Sequence, residues 1–264
     1  MTQRVDYKNT VTVGSIGVSH RCGNFIILDI NKREVTVRFL NTGTVESFRK
    51  DHVKEGRIKD QKAPLTFGVG YTNGEVTSDG GVKSMLHYRY WKQILERGYC
   101  TKLKSKYPSY KDVTVCEEWH SLKNFKVWFD NNYQDGWDNY CLDKDLICDN
   151  LGVKIYSPET CVFLPHRLNT LIIKRYHNRK GKALPIGVTS KSNERNRYCA
   201  RCQIGESQPY VIGYYNNVDE AWESYRDFKQ NYIYELACEY FNKNLINEKA
   251  YKALMCYKVT KEYQ

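Results

Sequence analysis

The spacing of apolar positions changes along this chain, and each change marks a new segment. Short β-rich runs at residues 11–13, 25–30, 35–40 and 45–48 are separated by the turn-forming triplets Cys22-Gly23-Asn24, Asn31-Lys32-Arg33 and Asn41-Thr42-Gly43. Short strands joined by three-residue loops predict a small antiparallel barrel of SH3-like or Tudor-like type over residues 1–62. Phe25, Phe39 and Phe48 fall at positions expected for the barrel core rather than for an aromatic cage. After Pro64 the pattern dissolves into Gly68, Gly70, Asn73-Gly74 and Ser78-Asp79-Gly80-Gly81, which have little to bury and tolerate positive φ, so residues 63–82 read as a linker.

A helical period follows. Met85, Tyr88, Trp91, Ile94 and Leu95 recur at three- and four-residue steps and predict a helix ending near Arg97. A second stripe, Trp119, Leu122, Phe125, Val127, Trp128 and Phe129, predicts another helix packed on the first through aromatic side chains. The stretch from Gly136 to Asp145, a turn at Gly152 and the run from Tyr156 to Phe163 read as a β-hairpin that feeds a short helix from Pro165 to about Lys174. These segments make up a central region over residues 83–178. Beyond the basic loop Asn178-Arg-Lys-Gly-Lys182, runs at residues 186–188, 198–204 and 210–214 predict three strands. A long helix over residues 218–240 follows, with Ala221, Trp222, Tyr225, Phe228, Tyr232 and Leu236 on one face, and a last helix over 247–255. The fold expected is α+β and multidomain, with residues 179–264 as a three-stranded sheet plus helices.

Composition narrows the function classes. With 264 residues, 41% of them hydrophobic and 22 of them Tyr, the chain can bury enough apolar area to fold into more than one compact unit. Lys and Arg number 41 against 30 Asp and Glu, a formal charge of +11 that favours a polyanionic partner. The opening Met-Thr-Gln-Arg-Val-Asp lacks the apolar core of a secretory signal, and the ten cysteines are scattered. Reduced thiols in a cytoplasmic protein, with no membrane role, are therefore expected. One close pair, Cys199-Ala-Arg-Cys202, has no further ligands at zinc spacing, and no structural zinc is expected.

Candidate chemistry lies first in the run Arg197-Tyr-Cys-Ala-Arg-Cys-Gln-Ile204. Period two places Tyr198, Ala200, Cys202 and Ile204 on one face and Arg197, Cys199, Arg201 and Gln203 on the other. The first face suits a supporting helix. The second suits phosphates and base edges, where Arg can donate twice to guanine and Gln can pair with adenine, or it is an ordinary solvated face.

Leu184-Pro-Ile-Gly-Val188, the Tyr198 strand, Val211-Ile-Gly-Tyr-Tyr215 and Asp219-Glu-Ala-Trp222 with Tyr225 resemble the ethylene-response-factor type of DNA-binding domain. The resemblance implies a sheet face in the major groove of double-stranded DNA, with Arg195, Arg197, Arg201 and Gln203 as contacts. Lys182 and Lys191 add basic charge beside the strands. The Trp usual on that face is absent.

The middle region resembles the phage-borne HNH homing endonucleases, through Val115-Cys-Glu-Glu-Trp119, Asn124-Phe125, Trp128, Leu142-Asp-Lys-Asp145 and Tyr156-Ser-Pro-Glu-Thr-Cys161. That resemblance implies a ββα-metal hairpin hydrolysing DNA phosphodiesters with one Mg²⁺ or Mn²⁺, in the cytoplasm of a phage-infected bacterium. Asp143 and Asn169 then stand as metal ligands, and Lys144 occupies the place of the general base. Thr160 stands where an Asn normally braces the hairpin. An accessible Lys is mostly protonated near neutral pH and cannot accept a proton from water. His166 or His177 is the alternative base, although a lone His is more often structural. The rival expectations are an inactive HNH-derived DNA-binding protein and a phage effector that binds a host protein through the amino-terminal barrel.

Overall fold

The computed structural model describes residues 8–78, 85–137, 139–172, 184–190, 197–205 and 208–261. It is an α+β fold with several small sheets, divided into two compact units, one of Met1–Asn131 with Ile155–Ser157 and one of Asn132–Lys154 with Pro158–Gln264. Among the described residues no helix is long and apolar enough to cross a membrane.

The first unit opens with an antiparallel meander of β1 (Ile16–Ser19), β2 (Gly23–Asn31), β3 (Glu34–Phe39) and β4 (Val45–Arg49), in the order β1-β2-β3-β4. Alternation drives it: Phe25, Ile27, Val35, Val37 and Phe39 point into one core, and Phe25 and Phe39 meet edge to face at 6.2 Å. The closed barrel expected from the strand spacing is not formed among the described residues; the sheet is open. Residues 11–13 are not its first strand. They belong to a turn in which Gly14 takes φ +83° and Ser15 Oγ donates to Thr12 O at 2.8 Å, so the chain enters the sheet only at Ile16. After β4 the chain passes directly into α1 (Lys50–Lys54), whose Val53 is fully buried in the core of the sheet.

The rest of this unit is built on α2 (Leu86–Tyr99), α3 (Thr101–Lys106), the short β5 (Thr114–Val115) and α4 (Leu122–Asn132). The apolar stripes place Trp91, Ile94 and Leu95 of α2 and Leu122 and Phe125 of α4 at or near complete burial, with Trp119 between them; Val127, counted in the second stripe, is 59% exposed. Trp91 Nε1 donates to Trp119 O at 2.7 Å, which removes the cost of burying the indole N–H. Residues of the glycine-rich stretch are held by this core. Tyr71 bridges to Ser121, and a Cβ on Gly70 would lie 2.3 Å from Leu95 Cδ1.

The second unit contains β6 (Tyr140–Asp143), α5 (Asp145–Leu151), β8 (Val162–Pro165), α6 (His166–Ile172), β9 (Val188–Ser190), β10 (Tyr198–Cys202), β11 (Tyr210–Tyr215), α7 (Val218–Asn242) and α8 (Glu248–Cys256); β7 (Ile155–Tyr156) pairs in parallel with β5 in the first unit. A three-stranded antiparallel sheet in the order β11-β10-β9 lies on α7. Asn217 caps α7 by accepting from Glu220 N at 2.8 Å, and Asp219 and Glu220 complement the helix N-terminus. One apolar core unites the parts: Leu164, Leu168 and Leu171 of the hairpin and its helix pack with Val188, Ala200, Ala221, Leu236 and Leu254.

Candidate functional site

Two parts of the second unit hold the described residues singled out from the sequence. The first is a ββα arrangement. β6 and β8 are antiparallel, with Asp143 opposite Val162 and Tyr140 opposite Pro165, and α6 follows β8 without a loop and packs on both strands. The connection differs from the simple turn expected, because α5 is inserted after β6 and ends at Gly152, whose φ of +68° is the left-handed cap. Asp143 holds the start of α5: its Oδ1 accepts from Leu146 N at 2.9 Å.

Asp143 is 8% exposed, and burial raises its carboxyl from 3.8 to about 6 despite the Leu146 hydrogen bond. Asn169, on the third residue of α6 after His166, is 9% exposed, and its Oδ1 is buried with no hydrogen-bond partner. An orphan buried amide oxygen costs about 1–3 kcal/mol unless a donor or cation meets it. Lys144 is buried, and its Nζ donates to Asp145 Oδ1. Thr160 is buried beside Cys161, and its hydroxyl lies 4.0 Å from the Cys161 Sγ. His166 is exposed at the start of α6, with Nδ1 3.7 Å from Cys141 Sγ and Nε2 3.4 Å from Thr170 Oγ1. Cys141 and Asp143 lie two residues apart on β6 and so share its face.

Among the described residues, no three His, Cys, Asp or Glu side chains gather as metal ligands. Taken by donor type, the Asp143 carboxylate and the Asn169 amide oxygen are the groups of this segment suited to a hard divalent ion. Both are oxygen ligands of the kind Mg²⁺ and Mn²⁺ prefer, and two protein ligands leave the remaining positions to water and phosphate. The orphan Asn169 Oδ1 is the observation that favours the fit.

The second site is the outer face of the three-stranded sheet. Tyr198, Ala200 and Cys202 face α7, as alternation predicts, and burial raises the Cys202 thiol. Arg197 is exposed and Arg201 half-exposed on the opposite side. Cys199, expected on that open face, is fully buried. Arg201 lies over it and donates from Nε to its Sγ at 3.3 Å, which raises the guanidinium further. A bulge between Ala200 and Arg201 shifts the pairing with β11, and Tyr214, opposite Cys199, is 45% exposed beside Val211 at 40%. Gln203 lies beyond the end of β10 and donates to Gly205 O, so its amide is engaged in the turn. Lys182, Lys191, Arg195 and His177 lie outside the described residues.

Sequence reasoning passed over Lys249. This side chain of α8 donates to Pro158 O at 2.6 Å and Cys161 O at 3.0 Å, fixing the loop that carries Thr160, and burial lowers its pKa. Nothing in its local pattern marks it, since it lies on an ordinary amphipathic helix. Tyr214 was available to the period-two argument but sits on the neighbouring strand. No protein-family model matches the chain, and neither a curated protein nor a solved structure matches it.

Proposed function

We propose that this chain is a DNA-binding protein of HNH nuclease type, of phage or mobile-element origin. In this reading the sheet of β9, β10 and β11 grips double-stranded DNA, and the ββα segment holds one divalent ion through Asp143 and Asn169 to hydrolyse a phosphodiester. The observation that carries it is the pair of buried oxygen groups, Asp143 raised to about 6 and Asn169 Oδ1 without a partner, on a ββα frame. A bound Mg²⁺ or Mn²⁺ supplies Lewis-acid stabilisation of charge at the scissile phosphate. Asp143 and Asn169 position it. In this reading His166, exposed on the helix that also carries Asn169, takes the proton from water in place of Lys144, whose Nζ is paired with Asp145. Arg197, Arg201 and Tyr214 supply the DNA-facing groups of the sheet.

The test is incubation of the full chain with genomic DNA and Mg²⁺ or Mn²⁺, with the ends mapped, alongside Mn²⁺ binding followed by electron paramagnetic resonance. Cleavage and Mn²⁺ binding are both lost in Asp143→Ala and Asn169→Ala if the reading holds. Mn²⁺ binding equal to the wild type in both variants overturns the metal assignment.

One observation favours a second reading, in which the hairpin is a non-catalytic remnant: Lys144, which the resemblance puts in the place of the general base, is itself buried and ion-paired with the exposed Asp145. DNA binding that depends on Arg197 and Arg201, without nicking under any metal, selects it.

A further inference from the structure

We infer that the first unit carries its own docking surface for the phosphate backbone of double-stranded DNA, formed by Lys102, Lys106 and Lys111 with Tyr107. No acidic residue occurs from Arg97 to Lys111, a stretch holding one Arg and four Lys. Unlike the other helices described in this unit, α3 and the 3₁₀ turn Pro108–Tyr110 that follows it bury no residue, so this segment is not there to fill a core. Lys102, Lys106 and Lys111 are exposed, and among the described residues no salt bridge joins any of them to a carboxylate.

The exposed segment is nevertheless fixed. Lys104 turns inward and its Nζ donates to Lys111 O at 3.2 Å and Val113 O at 3.0 Å, while Val113 is fully buried. Arg97 donates to Tyr156 Oη at 3.0 Å and lies 5.8 Å from the Tyr110 ring, which holds that ring half-buried. Tyr110 meets Tyr107 edge to face at 6.0 Å, and the Lys106 ammonium sits 5.2 Å from the Tyr107 ring. Three cations and one Tyr are thus displayed on a braced backbone, so binding has to order only the lysine side chains themselves.

The occupant follows from charge and shape. A membrane-surface helix needs an apolar face, and α3 offers only Leu103, which is half-buried. A single-strand platform needs several open rings for successive bases. Here Tyr107, at 44% exposure, is open while Tyr110 is engaged. Exposed point charges beside one open Tyr suit the phosphates of a duplex, contacted without regard to sequence.

The test uses the full chain with Lys102→Gln, Lys106→Gln and Lys111→Gln combined, circular dichroism confirming the fold, and fluorescence anisotropy on a random-sequence duplex over a salt series. The expected result is binding weaker by about tenfold at low salt, equally on every duplex, with the slope of log affinity against log salt smaller by about 2 to 3, since each lost phosphate contact removes about 0.9. Wild-type affinity and slope overturn the inference. So does a loss confined to single-stranded DNA, or to vesicles containing phosphatidylserine. Arg197→Ala/Arg201→Ala protein measured in parallel separates this surface from the sheet: if only the arginine variant weakens, this surface is wrong, and if only the lysine variant weakens, the sheet reading is wrong.

Discussion

Replacing Asp143 by Asn tests whether a buried charge is held at this site at a cost to the fold. The Asn side chain keeps the shape and leaves an oxygen to accept from Leu146 N, now at 2.9 Å, and Asn caps a helix start as well as Asp does. What changes is charge. Burial raises the carboxyl from 3.8 to about 6, a displacement worth about 3 kcal/mol at roughly 1.4 kcal/mol per pH unit. Because the folded pKa lies above the unfolded one, the folded protein binds more protons between these values. Stability therefore falls as pH rises from about 4 to about 6, and the deficit is complete above that window.

Urea unfolding of wild-type and Asp143→Asn protein at pH 4 and pH 7 reads this directly. The variant is expected to be about 3 kcal/mol more stable at pH 7 and less than about 1 kcal/mol more stable at pH 4. Under the proposed function, Mg²⁺ or Mn²⁺ stabilises the wild type at pH 7 and narrows the gap, since a ligand that binds only the folded state shifts the equilibrium toward it. A variant no more stable than the wild type at pH 7 refutes the reasoning. It would mean that the Asp143 charge is already compensated, with Lys144 serving Asp143 rather than Asp145.

Other substitutions examine the frame around the sites. Lys249→Met removes two charge-assisted hydrogen bonds to Pro158 O and Cys161 O and is expected to lower stability by about 2–3 kcal/mol in urea unfolding, with the Thr160 loop gaining amide hydrogen exchange. Gly187→Ala places a Cβ 2.2 Å from the Tyr225 ring at a φ of +86°, so a loss of about 2 kcal/mol or more is expected in the same assay. Asn217→Ala removes the cap on α7 and should cost about 1 kcal/mol, visible as a lower urea midpoint with an unchanged slope.

The parts of the fold that could be read from the chain are those where one period persists. Trp91, Ile94 and Leu95 mark α2, and Ala221, Tyr225 and Leu236 mark α7, because burial of a single stripe decides both pattern and structure. Short elements escape this logic. α5 spans seven residues, about two turns, too few for a stripe to repeat, although Gly152 just beyond it was the visible sign of a helix end. Side-chain destinations escape it further. The identity of Lys144 bears on catalysis, but only the folded chain puts its Nζ on Asp145, since residues adjacent in sequence leave that choice to packing.

Grouping of the elements was equally hidden, because a hydrophobic face says that it is buried but not against what. In the second unit the ββα segment and the three-stranded sheet share a core that runs from Leu164 to Leu254. The connections are polar as well: Tyr140 Oη donates to Leu245 O at 2.8 Å, Arg167 donates to Ile204 O at 3.1 Å and to Tyr232 Oη, and Lys249 braces the Thr160 loop. Helix α8, the last described element, is therefore as much a part of the hairpin's support as β6 and β8 are. In the proposed reading, the face that grips DNA and the oxygens that hold the ion are set by the same packed interior. A cavity at Leu236 or Leu254 should accordingly disturb Mn²⁺ binding at Asp143 and DNA binding at Arg201 together, whereas a separable pair of modules would lose one and keep the other.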